Sequence, residues 1–430
     1  MKQAIVVGAG AGGATAAKEL QGKFNVTVIE EGGGFHPFTM QLSSVGKLKR
    51  TGLLFDERMV GLIYPNMKVR KSHEGLVLVR GAGAGGTTTI CTGNGLRQDH
   101  DLKAIGIDLD KEFEELYREV PISFEHRKHW SRHTRQIFDL CRDMQLQPMI
   151  TPKMAYGDRC AACGRCVFGC QHAAKWDTRK FLVQAVSKGA HLLSNHKVHH
   201  AVIANGVIQG VVARRGFRTE FYPADLVVIT AGGLGTPVIL QNSGIKCQPK
   251  LFVDPVLCVA AKWENSHQDI EMPMPFIVQR EHFMLSPYFD LLSFFFNKKW
   301  KYPSPDIYSL MIKLADSSCG EIAVGGITKG LSNLDRQRLD EGVILSKEIF
   351  RHVGVKPEET FLGTVNGGHP GGMLPLTASE AETCHSNILP QNMYVADSTL
   401  FPNSLGNPPI LTIMALAKRV SRLCIEKFAD

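Results

Sequence analysis

Four cysteines crowd into the short stretch 160-CAACGRCVFGC-170: Cys160, Cys163, Cys166 and Cys170. The spacing C-x2-C-x2-C-x3-C presents four soft thiolate donors from one loop, the run that ligates bacterial-type iron–sulfur clusters. Gln171 stands where a proline usually follows, and no second run of this kind exists, so all four would serve one centre. Zinc is the alternative, because four thiolates also suit a tetrahedral structural site. Zinc sites more often draw pairs from separated segments, so one compact loop favours [4Fe–4S], with [3Fe–4S] a minor variant. A disulfide framework fits poorly, since 11 cysteines is an odd number and the chain opens on a strand without a charged-then-apolar leader. A cytoplasmic setting, where thiols stay reduced, is the expectation. Cys91, Cys141, Cys258 and Cys424 sit in apolar surroundings and read as core packing.

A second chemistry opens the chain, in 4-AIVVGAGAGGATAAKEL-20. The apolar run Ala4 to Val7 suits one buried parallel strand, and Gly8, Gly10 and Gly13 then spell G-x-G-x-x-G. The first glycine permits the tight turn, and the second lets a pyrophosphate approach the backbone. The third lets the following helix pack on the strand, with its amide-rich N-terminus facing the phosphates. A second strand, 26-VTVIEEG-32, ends in Glu30, whose carboxylate can take the ribose hydroxyls of an adenosine and repel a 2′-phosphate. The motif alone does not choose between FAD and NAD.

Three further segments must position these residues. The run 80-RGAGAGGTTTICTGNGLR-97 is too rich in glycine and threonine for a packed strand or a stable helix. It reads as backbone pressed against a flat or phosphorylated ligand, with Gly85, Gly86, Thr87 and Asn94 as candidate contacts. In 225-DLVVITAGGLGTPVILQNSG-244 a strand runs into a glycine turn at Gly232, and Thr236-Pro237 opens a helix ending near Gly244. In 393-MYVADSTLFPNSLGNPPILTIMALAKRVSRL-423 a strand and Asp397 precede a Pro/Asn/Gly loop and an amphipathic helix from about Leu411. A sheet assembled from separated segments follows from this order.

In that order the segments resemble the glucose–methanol–choline (GMC) family of FAD-dependent oxidoreductases. "GAGAGGTTTI" is similar to the family's first signature, "GGLGTPVILQNSGI" to its second, and "YVADSTLFP…NP…T" to its C-terminal flavin run. The segment after Cys170 resembles a branch of the family that carries such cysteines. The resemblance implies FAD, with Asp397 near the phosphates and ribityl chain, Val198 against the adenine, and Asn407-Pro408 at the isoalloxazine. Some members tether FAD through a histidine after the Gly-Gly-Ser/Thr run; Ile90 stands there, which implies non-covalent FAD. The reaction implied is oxidation of a small-molecule alcohol, with a proton leaving oxygen and a hydride leaving carbon. In 366-NGGHPGG-372, glycine pairs around His369 let a ligand reach the ring, and histidine titrates in the range a general base needs. The resemblance makes His369 the base and Asn407 its partner. His385, His199 and His200 read as structural. A cluster beside a flavin gives electrons an exit to a protein redox partner, which points to a dehydrogenase and away from an oxidase.

The fold expected is α/β. A Rossmann-type FAD domain (1–45, 75–100, 151–250 and 385–430) interleaves with a substrate domain of antiparallel sheet and helices (46–74, 101–150 and 251–384). The stretch 111-KEFEELYREV-120 reads as an amphipathic helix, 307–316 and 321–330 as neighbouring strands, and 335–354 as a helix closing at Gly354. The run 287-PYFDLLSFFFNKKW-300 reads as a buried strand or a contact surface for a partner or membrane face. The net charge of +8 is diffuse, which argues against nucleic acid, and no apolar run is long enough to span a membrane. A different reading keeps both cofactors in an electron-transfer subunit with no substrate; His369 and Asn407 count against it.

Overall fold

The computed structural model describes residues 1–39, 56–323 and 325–429. The domain boundary expected at residues 45 and 46 lies outside them, as does Val324 in the stretch read as a strand. The fold is mixed α/β, with parallel and antiparallel sheets.

The first sheet is parallel. Its strands run in the order Met393–Val395, Leu226–Ile229, Gln3–Val7, Asn25–Ile29, His191–Leu193, so five separated segments meet side by side. Ala4 stands opposite both Leu226 and Val26. Residues 4–7 and 226–229 are buried throughout, as near-continuous apolar strands must be when covered on both faces. The helix Ala11–Leu20 packs against the C-terminal helix Ile410–Phe428, and Ala14, Ala16 and Ala17 keep the first helix thin enough for that approach. A three-stranded antiparallel flap (Lys197–Ala204, Val207–Arg215, Arg218–Pro223) turns first through Asn205-Gly206, both at positive φ.

The largest sheet is mixed. It runs Met67–Lys71, Val77–Gly81, Asn366–Gly367, Pro255–Lys262, Ile307–Leu314, Phe283–Pro287, Phe276–Gln279, Met149–Ile150, with Thr360–Leu362 also beside Pro255–Lys262. Val77–Gly81 therefore pairs in this sheet, although the glycine-rich segment that follows it turns back to the Rossmann strands. The helix Asn333–His352 lies on the sheet, opened by a capping box of Ser332 and Asp335. Among the described residues no helix is long and apolar enough to cross a membrane.

Three elements differ from expectation. The helix after Leu226–Ile229 begins at Gly232, so Pro237 lies inside it as its sixth residue, where it has no amide to give to the Gly233 carbonyl. Residues 291–296 form a short helix in place of a strand, because the Asp290 carboxylate accepts the Ser293 amide and nucleates a turn. Its Phe294 and Phe295 are buried with Phe289 and Trp300, so the run is an internal wedge. Residues 321–323 and 326–328 pair with each other as a separate hairpin, away from Ile307–Leu314.

A methyl group on Gly342 would stand 2.7 Å from Ile312 Cγ2. Gly342→Ala gains ~1 kcal/mol of helix propensity and meets overpacking of ~1–3 kcal/mol, so net destabilisation is expected. Denaturant unfolding of Gly342→Ala, Ile312→Ala and the double variant checks it: the double should be less destabilised than the sum. Strict additivity would show that the contact carries no strain.

Candidate active site

A cleft of about 310 Å³ opens at the carboxyl ends of the parallel strands, where ligands bind in open α/β sheets. Gly8, Gly10, Glu30, Gly86, Thr87, Val198, Gly232, Asp397 and His369 all line it. Gly8 holds a φ of +99° that a side chain would strain, and a Cβ on Gly13 would fall 1.9 Å from the Gly8 carbonyl oxygen. These two glycines are required by the protein's own packing. Gly10 is not: its Cβ would meet only Gly86 Cα, at 3.9 Å, so the space it leaves belongs to the cleft. The helix Ala11–Leu20 starts at Gly10 with no side-chain cap, leaving first-turn amides for an anion. This cradle fits the phosphates of a dinucleotide.

Two carboxylates organise the cleft walls. Glu30 accepts the Ala9 amide at 2.9 Å, the Gly32 amide at 2.8 Å and the Gly83 amide at 3.0 Å. A carboxylate has about four lone-pair sites, so at most one remains for a ribose hydroxyl. Asp397 accepts from Gly232 N at 2.8 Å, Thr236 Oγ1 at 2.5 Å and Thr399 N at 2.9 Å, and burial raises its carboxyl above the usual range. Gly85 stands just behind, its amide bonded to the Ala9 carbonyl and joining the two glycine loops. The flap brings Val198 to the cleft together with His196 and His199.

His369 shows its ring to the cleft and turns Nδ1 to Asp254, 3.4 Å from Oδ2. Asp254 is buried in a left-handed backbone conformation (φ 49°) and accepts from Lys313 Nζ at 2.6 Å and Gly406 N at 3.2 Å. The Ser404 hydroxyl lies between Asp254 and Asp316, and Asp316 pairs with Lys329 at 2.8 Å. Burial alone would raise the Asp254 carboxyl; Lys313 and His369 outweigh it and hold it down to about 2. Burial, with Lys313 behind the carboxylate, pulls His369 down to about 4, against the opposing pull of Asp254. The imidazole is therefore neutral at physiological pH. Asn407 is buried beside this network, donating from Nδ2 to Gln279 Oε1 at 3.1 Å, while its Oδ1 has no donor among the described residues. Pro408 leads into Pro409 and Ile410, which line the cleft.

Asn94 lies elsewhere: its amide oxygen accepts from Lys153 Nζ. That lysine belongs to a second, small cavity of about 30 Å³, lined by Cys160, Cys163, Cys166 and Cys170 with Lys153 and Lys175. All four cysteines are free thiols. Among the described residues no three His, Cys, Asp or Glu side chains converge as one metal ion requires; the four cysteines line the same cavity. Burial pushes the Cys166 thiol up to about 12 and pulls Lys153 down to about 7. Asp254, Lys313, Lys153 and Lys175 were not singled out from the sequence. The signal available was a charged residue inside an apolar run, as in 251-LFVDPVLCVAAK-262.

Residues 2–256 match the family model described as GMC oxidoreductase. An uncharacterized protein of Methanocaldococcus jannaschii is 25% identical over 97% of this chain and 98% of its own length. An uncharacterized GMC-type oxidoreductase of Mycobacterium tuberculosis is 29% identical over 58% of this chain, which spans 40% of that protein. A long-chain-alcohol oxidase of Arabidopsis thaliana is 27% identical over 56% of this chain, spanning 34% of its length. Among solved structures, pyridoxine 4-oxidase from Mesorbium loti superposes with a TM-score of 0.73 over 98% of this chain and 99% of that one, at 14% identity. That likeness bears on the fold.

Glu30 supports three amides from two glycine loops, and each buried unsatisfied group costs about 1–3 kcal/mol. Glu30→Ala should lower thermal stability by several kcal/mol, with Glu30→Gln losing less because one amide oxygen survives. Equal stability of Glu30→Ala and the parent by calorimetry would contradict the staple.

Proposed function

The chain belongs to the GMC oxidoreductase family, and from that premise we propose that it binds FAD non-covalently and oxidises an alcohol group to a carbonyl. The observation that carries the reading is a neutral, carboxylate-backed histidine on the wall of a dinucleotide-shaped cleft. The names of two similar proteins, one acting on a long-chain alcohol and one on pyridoxine, support the substrate class.

Gly8, Gly10 and the helix that starts at Gly10 would hold the pyrophosphate, Glu30 and Val198 the adenosine, and Asp397 and Gly232 the ribityl side. Bound FAD supplies the acceptor for the hydride that leaves the alcohol carbon. His369 does the proton work. Its Nδ1 lies 3.4 Å from an anionic carboxylate with no other partner among the described residues, which favours the ring proton at Nδ1 and leaves Nε2 as the acceptor. The hydroxyl proton passes to Nε2, and Asp254 stabilises the imidazolium that results. Lys313 offsets the pull of the Asp254 anion, so the ring does not take a proton from solvent before substrate arrives. Asn407 Oδ1, buried without a donor among the described residues, can accept a hydrogen bond from the substrate.

Both named relatives are oxidases. We assign this chain to the dehydrogenases, on the spacing of Cys160, Cys163, Cys166 and Cys170 around one cavity. An iron–sulfur centre held there supplies a one-electron exit to a protein partner.

Four measurements test the reading. Acid or heat should release FAD from the polypeptide, because Ile90 offers no tether; flavin that stays attached would contradict it. His369→Ala should keep FAD and slow reduction by alcohol about 10²–10⁴-fold. Undiminished reduction would remove the catalytic assignment.

The pH profile carries a sign. His369 is depressed to about 4, so reduction should rise through a limb near that value and stay flat through neutrality. Lys313→Met removes a cation that depresses the ring, and the limb should move up toward the ordinary 6.5. Asp254→Asn removes an anion that raises it, and the limb should move down while the rate falls. Identical limbs in all three proteins would mean that His369 is not the group titrating. Oxygen consumption matching dye reduction, turnover for turnover, would make the enzyme an oxidase.

A further inference from the structure

Five lysines are buried among the described residues: Lys153, Lys175, Lys313, Lys329 and Lys418. Three have carboxylates. Lys313 pairs with Asp254, Lys329 with Asp316, and Lys418 with Glu19, Glu115 and Glu119. Lys153 and Lys175 have no carboxylate partner among the described residues, and both line the four-cysteine cavity, which has no Asp or Glu in its wall.

Their hydrogen bonds define their charge. Lys175 Nζ donates to the carbonyls of Thr89 at 2.7 Å, Cys91 at 2.8 Å and Cys166 at 2.8 Å. Lys153 Nζ reaches Asn94 Oδ1, the Pro273 carbonyl at 2.7 Å and the Thr92 carbonyl at 3.4 Å. Three close acceptors around Lys175 Nζ require three N–H donors, which an ammonium has and a neutral amine lacks; Lys153 is depressed by burial, and an anion beside it would hold its proton. Two buried cations side by side cost several kcal/mol unless an anion accompanies them. Neutral thiols do not supply one. Thiolates bound to metal do, because the thiol protons leave to solvent as the metal–sulfur bonds form.

We propose that the cavity of Cys160, Cys163, Cys166 and Cys170 holds an anionic thiolate-ligated iron–sulfur centre, with Lys153 and Lys175 as its built-in counter-charges. The inference deepens the dehydrogenase reading and rests on its assignment of the cysteines. It adds two positioning residues and a function for each. Both cations stabilise the more negative, reduced form of the centre and so raise its potential. Lys175 also ties the cysteine loop, through Cys166, to the Thr89–Cys91 backbone that continues the cleft wall at Thr87 and Thr88.

The test uses full-length protein purified without oxygen. Wild type should contain iron and acid-labile sulfide at about four each per chain. In an EPR-monitored redox titration, Lys175→Met and Lys153→Met should shift the midpoint potential of the bound centre downward, and Lys175→Arg should restore most of the shift. Iron-loaded Met variants with the wild-type potential would overturn the counter-charge role while leaving the cluster in place. Wild type with zinc, or with neither metal, would overturn the cluster reading itself.

A stability measurement covers the case in which the Met variants load poorly. Lys175→Met should destabilise loaded protein. In a Cys163→Ala, Cys166→Ala background that lacks the centre, the same substitution should be neutral or stabilising, since it removes a cation with no anion. Destabilisation of equal size in both backgrounds would assign Lys175 to packing alone and overturn the proposal.

Discussion

The buried carboxylate of Asp254 is the constraint on which the catalytic half of this molecule depends. It stands at the start of the strand Pro255–Lys262, in a left-handed conformation, and is shared by groups from three other parts of the chain. Lys313 comes from the neighbouring antiparallel strand, His369 from the glycine loop, and Ser404 and Gly406 from the loop before Asn407. A buried ion pair adds little net stability, because desolvation offsets most of its attraction. Breaking one leaves an uncompensated charge, at about 3–5 kcal/mol. The arrangement is thus better understood as specification: the chain cannot fold with these loops elsewhere without stranding Asp254 or Lys313. The positions of His369 and Asn407 follow from that constraint.

Charge is treated differently in the two sites. Around His369 each buried cation faces a carboxylate, the charges close among themselves, and the ring is left neutral to take a proton. Around the cysteines the cations face carbonyl oxygens and thiols. The first site balances its charges within the protein; in the second, among the described residues, no carboxylate faces the two lysines. This contrast comes from the same chain under the same desolvation costs, so it reflects what each cavity is built to contain.

Much of the parallel sheet was legible because its signals are local. Strand, glycines, helix and acid follow each other within residues 4–30, and the register of Gln3–Val7 with its neighbours needs only their apolar runs. Asp254 was not legible. Its meaning depends on Lys313, His369 and Ser404, which lie far along the chain and have no periodic relation to it. The run 287–300 misled for another reason: aromatic composition suggested a strand, but Asp290 followed three residues later by Ser293 is a local capping signal that outweighed it. Glu30 was legible as an acid at the end of a strand. That its oxygens would be engaged by three backbone amides depended on Gly83, which tertiary structure brings in.

The glycine- and threonine-rich segment after Arg80 has its composition because it serves both cavities. Gly81, Gly86, Thr87 and Thr88 line the cleft, while Thr92 and Gly93 line the cysteine cavity a few residues on. A wall shared by two cavities has to be thin, and large side chains would either fill one cavity or push the two apart. Small residues bring backbone to both faces, and their carbonyls then become the acceptors for Lys175. The carbonyls that hold Lys175 thus follow directly on the residues that line the cleft. Only residues 89–91 of this segment separate the part that lines the cleft from the part that lines the cysteine cavity.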